Sequence, residues 1–307
     1  MLWPIIYVQQ QGNGEIQLVF SIEDNMFEKD LLKGKVALVT GGGTGIGFEM
    51  CKRFGSLGAS ICIIGRRENV LEKAVDELRK SGITAEYHRC DVRNPAEITE
   101  SVDYFMKKFS HIDILVNNAA GNFVSPTENL SPHAVDAVLG IVLHGTLYMT
   151  LDLGKRWISS GSHGVVLDIV TSYAWTGSGF VVPSAAAKAG VLATVRSLAV
   201  EWAKYGIRHV AIAPGPFPTE ATRKNLFPLP EVEKLLTERV PMGRVGNMEE
   251  IANLASFLVS DQAGFINGEV VTIDGGEWLK GAGEFNNLLD LTGEQWKLIR
   301  EISSKKS

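Results

Sequence analysis

Cysteine, long apolar runs and basic tracts are all scarce in this chain of 307 residues, and each scarcity excludes a class of protein. The three cysteines (Cys51, Cys62 and Cys90) have neither a metal-type spacing nor a disulfide framework, which favours free thiols in a reducing compartment and no metal site. No apolar run reaches the roughly 18 residues that a membrane span needs. The net charge of −5 and the lack of a basic tract argue against a nucleic-acid surface.

The first 26 residues also lack Lys and Arg, and they contain Glu15, Glu23 and Asp24. Signal peptides need a positive start and mitochondrial presequences are rich in Arg, so this stretch fits neither. We expect residues 1–26 to be an appendage, either native or the result of a mis-set translation start, and residues 27–307 to form one domain. Since no address is recognised, the cytosol is the default location, and the mitochondrial matrix stays open.

Apolar runs of strand length alternate with helically spaced segments along the rest of the chain. This alternation predicts a single α/β domain with a doubly wound parallel sheet of the Rossmann type, with helices on both faces. The first such run, from Lys35, ends in Thr-Gly-Gly-Gly-Thr-Gly-Ile-Gly and is followed by a helical segment. A strand, a glycine-rich turn and a helix amino terminus together form a pyrophosphate site. The residues predicted to line it are Gly41, Gly43, Thr44, Gly45 and Ile46.

The next strand, Ser60 to Gly65, ends in Arg66-Arg67. Sites selective for NAD place an acidic residue here for the ribose 2′-hydroxyl, whereas an Arg suits a 2′-phosphate. Arg66 therefore predicts NADPH as the cofactor. The alternative is that both arginines are solvated at a helix start, where cations are mildly disfavoured.

A second chemical segment runs from Thr171 to Lys188 and brings hydroxyl, phenol and amine groups together. Tyr173 lies just past the carboxyl end of an apolar run, Val165 to Val170. Ser184 and Lys188 are four apart in the next helix and share one of its faces. A Lys ammonium beside a phenol can lower the phenol pKa and make it a usable proton donor.

These motifs resemble the short-chain dehydrogenases/reductases over about Phe27 to the end of the chain, with one departure. The family pattern is Tyr-x-x-x-Lys, but the Tyr place holds Ser184, while Thr171 occupies the usual Ser place. A Tyr placed upstream of a Ser-x-x-x-Lys is similar to the 2,4-dienoyl-CoA reductases. The alternative is a degenerate site in which Tyr173 only packs.

The resemblance implies roles for further residues. It assigns catalysis to Tyr173, Lys188, Asn122 and Ser184, with Asn122 bonding the thioester carbonyl. It assigns additional cofactor contacts to Asp91, Asn118, Lys188, Pro214, Gly215 and Phe217. It assigns acyl-CoA contacts to Arg66, Arg93, Phe123 and Ser131, for which surface charge and core packing are the alternatives.

Two positions depart from the resemblance. His144 stands where the family has an Asn that helps to position the Lys, and we leave it out of the catalytic set. Residues 217–240 are expected to form a substrate lid, but the place of its phosphate-binding Arg holds Asn225, next to Arg223 and Lys224. That contact is left open.

The resemblance implies reduction of 2,4-dienoyl-CoA thioesters by NADPH to 3-enoyl-CoA, in the β-oxidation of unsaturated fatty acids. It also implies an acyl-CoA partner and a homotetramer. Two rivals remain: a reductase of 2-enoyl-CoA or another acyl thioester, and an NADPH-binding scaffold without turnover. A standard carbonyl reductase would need a phenol four residues before Lys188, and Ser184 denies it.

Overall fold

The computed structural model describes residues 6–10, 16–20, 28–219 and 237–304. Near the amino terminus, strands β1 (Ile6–Gln10) and β2 (Ile16–Phe20) pair in antiparallel fashion, with Ile6 opposite Phe20. The division into an appendage at 1–26 and a domain at 27–307 stays a prediction. The predicted lid at 217–240 falls mainly on residues 220–236, which lie outside the described residues, as do Arg223, Lys224 and Asn225.

Seven parallel strands form the central sheet, in the order β5-β4-β3-β6-β7-β8-β9. They are β3 (Val36–Thr40), β4 (Ser60–Gly65), β5 (Ala85–Arg89), β6 (Ile114–Asn117), β7 (Gly164–Ile169), β8 (Ile207–Pro214) and β9 (Val270–Ile273). The predicted single doubly wound parallel sheet is confirmed.

Helices connect the strands and cover both faces of the sheet. They are α1 (Gly45–Ser56), α2 (Glu68–Lys80), α3 (Pro95–Phe109), α4 (Pro132–Leu139), α5 (Gly145–Ser160), α6 (Tyr173–Thr176), α7 (Val182–Glu201), α8 (Met248–Val259), α9 (Glu277–Ala282) and α10 (Gly293–Ser304). Strand β3 shows why two layers are needed, since Ala37 and Val39 face one core while Val36 and Leu38 face the other. Burial on both faces explains its continuous apolar sequence.

A π-helical segment, Gly140–His144, joins α4 to α5, so that Pro132–Ser160 runs as one long helix. The sequence predicted this helix over Ser131 to Trp157. By length and apolar composition alone it could cross a membrane. Its Met149, Leu153 and Trp157 are instead buried in the sheet's core, as in the core helix of a globular domain.

The strand order reverses between β3 and β6, because the chain proceeds outward from β3 in one direction and from β6 in the other. Ligands of doubly wound sheets bind outside the carboxyl ends of the strands at such a switch point. The glycine-rich turn follows β3, and the Asn117-Asn118 pair closes β6. Both predicted cofactor segments therefore lie at the switch point.

Candidate active site

Thr40 at the end of β3 connects the glycine-rich turn to the loop after β6 through hydrogen bonds. Its Oγ1 accepts hydrogen bonds from the backbone N–H groups of Asn118 (3.0 Å) and Ala119 (2.9 Å) and donates to the carbonyl of Val116 (3.2 Å). The amide Nδ2 of Asn118 returns a bond of 3.0 Å to the Thr40 carbonyl. Asn118 thus shapes the predicted cofactor surface through the backbone of the opposite loop.

The glycine-rich turn leaves the first turn of α1 open to an anion. Gly41 (φ 66°) and Gly45 (φ 57°) adopt left-handed backbone conformations that favour glycine. Thr44 precedes the helix but makes no side-chain capping hydrogen bond, and the first turn holds no acidic residue. Backbone N–H groups in this position suit a pyrophosphate, so the residues present fit a nicotinamide dinucleotide.

Gly47 in α1 packs closely against the glycine-rich turn and Asn118, and a substitution there can test this packing. A Cβ at this position would lie 2.5 Å from Nδ2 of Asn118 and 2.7 Å from the carbonyl oxygen of Gly41. We expect Gly47→Ala to lower the free energy of unfolding by about 1–3 kcal/mol, because the loop backbone must move, and to weaken NADPH binding. Gly281→Ala, where nothing lies within 4 Å, is the matched control and should cost nothing. Denaturant unfolding and cofactor titration measure both, and an equally stable Gly47→Ala protein would contradict this packing argument.

Arg66 lies exposed after β4, where it forms no ion pair or side-chain hydrogen bond with the residues that the structure describes. It is close enough to the Asp91 carboxylate to contribute to lowering its pKa. A free cation beside a helix amino terminus is unfavourable by itself and becomes favourable when a phosphate binds. The 2′-phosphate role of Arg66 stays a prediction, and the exposed position of its guanidinium, unpaired among the described residues, supports it.

Asp91 and Arg93, which the resemblance placed in separate roles, are paired with each other. The Arg93 guanidinium donates to Asp91 through Nε (3.0 Å to Oδ1) and Nη2 (2.5 Å to Oδ2). Arg93 is the main cause of the lowered pKa of Asp91. An adenine contact by Asp91 or a CoA phosphate contact by Arg93 would each need this pair to open or to be shared.

The predicted catalytic side chains meet at the carboxyl end of β7. Tyr173 opens the one-turn helix α6, and its Oη lies 3.1 Å from Oγ of Ser184 in α7. The Asn122 amide Nδ2 donates to the same phenol oxygen at 3.4 Å, while Asn122 Oδ1 accepts from the N–H of Phe123 at 2.9 Å. The backbone bond orients the amide, so that the NH₂ group faces the phenol. Asn122 and Ser184, which are 51 and 11 residues from Tyr173 in the sequence, thus form one cluster with it.

Burial raises the pKa of Tyr173, and hydrogen bonds from Ser184, Thr171 and Asn122 oppose this shift only in part. Lys188 is not among the groups that lower this pKa in the described structure. The ammonium is held elsewhere, and burial disfavours the phenolate. Tyr173 stays a protonated phenol at neutral pH, which suits a hydrogen-bond and proton donor.

Lys188 is buried in α7 and donates through Nζ to the carbonyl oxygen of Ile169 at the end of β7. Burial lowers its pKa to about 8, and the carboxylate of Asp168 acts in the opposite direction. An ammonium donor can make up to three hydrogen bonds. Two of its donors thus stay available for ribose hydroxyls, the role that the resemblance implies.

The remaining predicted residues have structural contacts that the sequence did not reveal. Ser131 caps α4 by accepting from the N–H of Ala134 at 3.2 Å, and Phe123 packs against a core cluster beside α4 and α7. Phe217 is buried in the core, so a contact with nicotinamide would come from its backbone. His144 is exposed and contacts the ring of Tyr148, with centroids 5.9 Å apart.

The Pro214-Gly215 turn follows β8 in tight contact with the end of β9. Gly215 donates from its N–H to the carbonyl of Ile273 at 2.9 Å. A Cβ on Gly215 would lie 2.5 Å from Cβ of Asp274, so only glycine fits here. This close approach holds the turn at the carboxyl edge of the sheet, where the predicted nicotinamide contact would be made.

Sequence reasoning missed one titratable residue next to the site. Asp168 is the second-to-last residue of β7 and is 1% exposed. Burial raises its pKa to about 7, while hydrogen bonding by Asn117 and the charge of Lys188 act in the opposite direction. The available signal was a carboxylate inside the apolar run Val165 to Val170, since charged residues are rarely buried without a partner.

This fold and site define a nicotinamide-dependent reductase, and comparison with known proteins agrees. The family model described as enoyl-(acyl carrier protein) reductase matches residues 41–277. A solved short-chain dehydrogenase from Bacillus anthracis is 43% identical, with a TM-score of 0.73 over 80% of this chain and 98% of its own. A gluconate 5-dehydrogenase from Burkholderia cenocepacia, solved with NADP and tartrate, is 30% identical, with a TM-score of 0.76 over 81% of this chain and 98% of its own.

Among related sequences, a Caenorhabditis elegans protein named probable 2,4-dienoyl-CoA reductase 3, (3E)-enoyl-CoA-producing, is 47% identical over 80% of this chain and 81% of its own. A Bacillus subtilis protein named probable 2,4-dienoyl-CoA reductase, (2E)-enoyl-CoA-producing, is 41% identical over 81% of this chain and 98% of its own. The chain belongs to the short-chain dehydrogenase/reductase family, and the predicted family and oxidoreductase class are confirmed.

Proposed function

We propose that this protein reduces 2,4-dienoyl-CoA thioesters with NADPH to 3-enoyl-CoA, in the β-oxidation of unsaturated fatty acids. The observation that carries the proposal is the cluster of Tyr173, Ser184 and Asn122. In this cluster the Tyr173 phenol, which follows β7, lies next to Ser184. Ser184 is the helix residue that stands where the family usually has its phenol. The names of relatives that are 47% and 41% identical support the same substrate.

Bound NADPH would supply a hydride to Cδ, the far end of the conjugated diene. The electron pair then moves through the two double bonds to the thioester oxygen, which gives a dienolate. Asn122 Nδ2 and the Tyr173 hydroxyl are donors already held together before this charge appears, as oxyanion stabilisation requires. Protonation at Cα leaves the double bond between Cβ and Cγ and yields the 3-enoyl product. Tyr173 delivers or relays that proton.

Other residues bind the two substrates in this scheme. Lys188 holds the nicotinamide ribose, Ser184 bonds the cofactor or substrate beside it, and Arg66 takes the 2′-phosphate that distinguishes NADPH. Arg93, Phe123 and Ser131 are proposed to contact the CoA moiety. Since Arg93 is paired with Asp91, its contact with a CoA phosphate requires this pair to open or to be shared.

The matching family model favours a second candidate, the reduction of a 2-enoyl thioester. The same donors would serve, because the charge also reaches the thioester oxygen, but the hydride would add at Cβ. The two candidates can be distinguished by measuring whether a 2,4-dienoyl or a 2-enoyl thioester is reduced.

We expect rapid NADPH oxidation, followed at 340 nm, with a 2,4-dienoyl-CoA and little with a 2-enoyl-CoA or a 3-ketoacyl-CoA. Product analysis by mass spectrometry and NMR should locate the remaining double bond at Cβ–Cγ. Turnover of the 2-enoyl thioester alone would instead support the second candidate. An absence of turnover with all three, with NADPH still bound, would favour the scaffold that the sequence left open.

Assembly and location also stay predictions. We propose a homotetramer, which light scattering of the purified protein would test, and a cytosolic location. A plant relative that is 40% identical is named a peroxisomal 2,4-dienoyl-CoA reductase, so fractionation of the native cell should examine peroxisomes and the mitochondrial matrix as well.

A further inference from the structure

A buried polar cluster beside the active site includes Lys188, and its other three members have no role in the reaction proposed above. Its members, Asn117, Thr150, Asp168 and Lys188, are 4%, 1%, 1% and 8% exposed. Asn117 Nδ2 donates to Oδ1 of Asp168 and to Oγ1 of Thr150, both at 3.0 Å. Lys188 donates to the carbonyl of Ile169, the residue that follows Asp168. One connected set of contacts therefore leads from α5 through β6 and β7 to the ammonium in α7.

The charges of Asp168 and Lys188 depend on each other. Burial alone favours the neutral form of each group, because the charged form loses its hydration. Burial raises the pKa of Asp168 to about 7 and lowers that of Lys188 to about 8, while each charge acts against the shift of the other. Lys188 forms no salt bridge within 4.0 Å among the described residues, so the two charges act on each other without an ion pair, while the ammonium donates to the Ile169 carbonyl.

Neighbouring elements bring no other charge to this pair in the described part of the chain. Strand β6 contributes the neutral amide of Asn117, α5 contributes the hydroxyl of Thr150, and β8 places Ala211 opposite Asp168. Tyr173 is a further titratable group of the site, and its raised pKa keeps it neutral. His209 lies two residues before Ala211 in β8, and burial lowers its pKa to about 4, so that it is neutral as well. The carboxylate of Asp168 is thus the charge that compensates the buried ammonium.

We infer that Asp168 is a positioning residue that keeps Lys188 charged and seated on the Ile169 carbonyl, ready for the cofactor ribose. A neutral amine would give up its charge-assisted hydrogen bonds, which are about twice as strong as neutral ones. The catalytic consequence rests on the proposed reductase function. The charge state of Lys188 does not, because it is set in the protein without substrate.

The direct test is the titration of Lys188 by ¹³C NMR of protein labelled at lysine Cε, with Lys188→Met used to assign the signal. Asp168→Asn keeps an oxygen that accepts from Asn117 but removes the charge. We expect the midpoint of Lys188, near 8 in the native protein, to fall by about one pH unit or more, the size of shift that a nearby opposite charge causes. Asp168→Ser, which is smaller and also uncharged, should shift it in the same direction.

Asp113→Asn is the matched control, since Asp113 is also partly buried and accepts from the N–H of Val36 at 2.7 Å, but at the amino end of β6. It should leave the Lys188 midpoint unchanged. The affinity for NADPH, measured by fluorescence between pH 6 and 9, should decrease as the pH rises and Lys188 loses its proton. The midpoint of this decrease should lie at a lower pH in Asp168→Asn than in the native protein or in Asp113→Asn. An unchanged Lys188 midpoint in both Asp168 variants would overturn the inference. A shifted midpoint in a protein without dienoyl-CoA turnover would keep it and overturn only the proposed function.

Discussion

Replacing Tyr173 by Phe should lower kcat for the dienoyl thioester by about 10²- to 10³-fold, the usual effect of removing one oxyanion donor. The phenol is half-buried and protonated, and its oxygen lies 3.1 Å from Ser184 Oγ and 3.4 Å from Asn122 Nδ2. Loss of the hydroxyl removes the donor that the dienolate needs and the group that delivers its proton. The aromatic ring stays, so the packing beside α7 is kept. Steady-state kinetics with saturating NADPH measures the effect.

The affinity for NADPH should change little in this variant, because Tyr173 is assigned to the substrate and not to the cofactor. Tyr205→Phe is the control, since Tyr205 is 40% exposed in the turn after α7. It should retain native turnover. If the Tyr173→Phe protein turned over as fast as the native one, Tyr173 would have no place in the mechanism, and Ser184 would become the donor to examine.

Replacing Arg66 by Ala should weaken the binding of NADPH by about 10- to 100-fold, because a charged hydrogen bond contributes about 1.5–3 kcal/mol. Arg66 is exposed after β4 and has no hydrogen-bonded partner among the described residues, so its removal breaks no internal contact. NADH lacks the 2′-phosphate, and its affinity should not fall. Fluorescence titration with both cofactors therefore gives a ratio that isolates this one group.

Arg67 provides the matched control, because it is the adjacent arginine, is also exposed and precedes α2 as its amino-terminal cap residue. Arg67→Ala should keep the preference of the native protein for NADPH. Equal losses of NADPH affinity in the two variants would point to a general electrostatic effect of this surface. Equal losses of NADPH and NADH affinity in Arg66→Ala would remove the 2′-phosphate role.

Much of the fold could be predicted because local sequence patterns carry it. The run from Ser60 to Gly65 was predicted as a strand and is β4. Its four central residues are buried, which explains a continuous apolar run that is easy to recognise. The long helix begins at Pro132 close to its predicted start, but its π-helical segment, Gly140–His144, has no signal in the residue pattern. Helix ends and irregular turns depend on packing and less on propensity.

The sequence by itself determined the order of the elements, the glycine-rich turn at the switch point and the spacing that puts Ser184 and Lys188 on one helix face. Periodicity and residue type are enough for these features, because they arise within a few neighbouring residues. Only the tertiary structure decided which charges meet. It paired Arg93 with Asp91, raised the pKa of Tyr173, and placed the Lys188 ammonium at the carbonyl of Ile169, next to Asp168. Burial and electrostatic coupling depend on elements far apart in the chain, and no local pattern records how those elements pack.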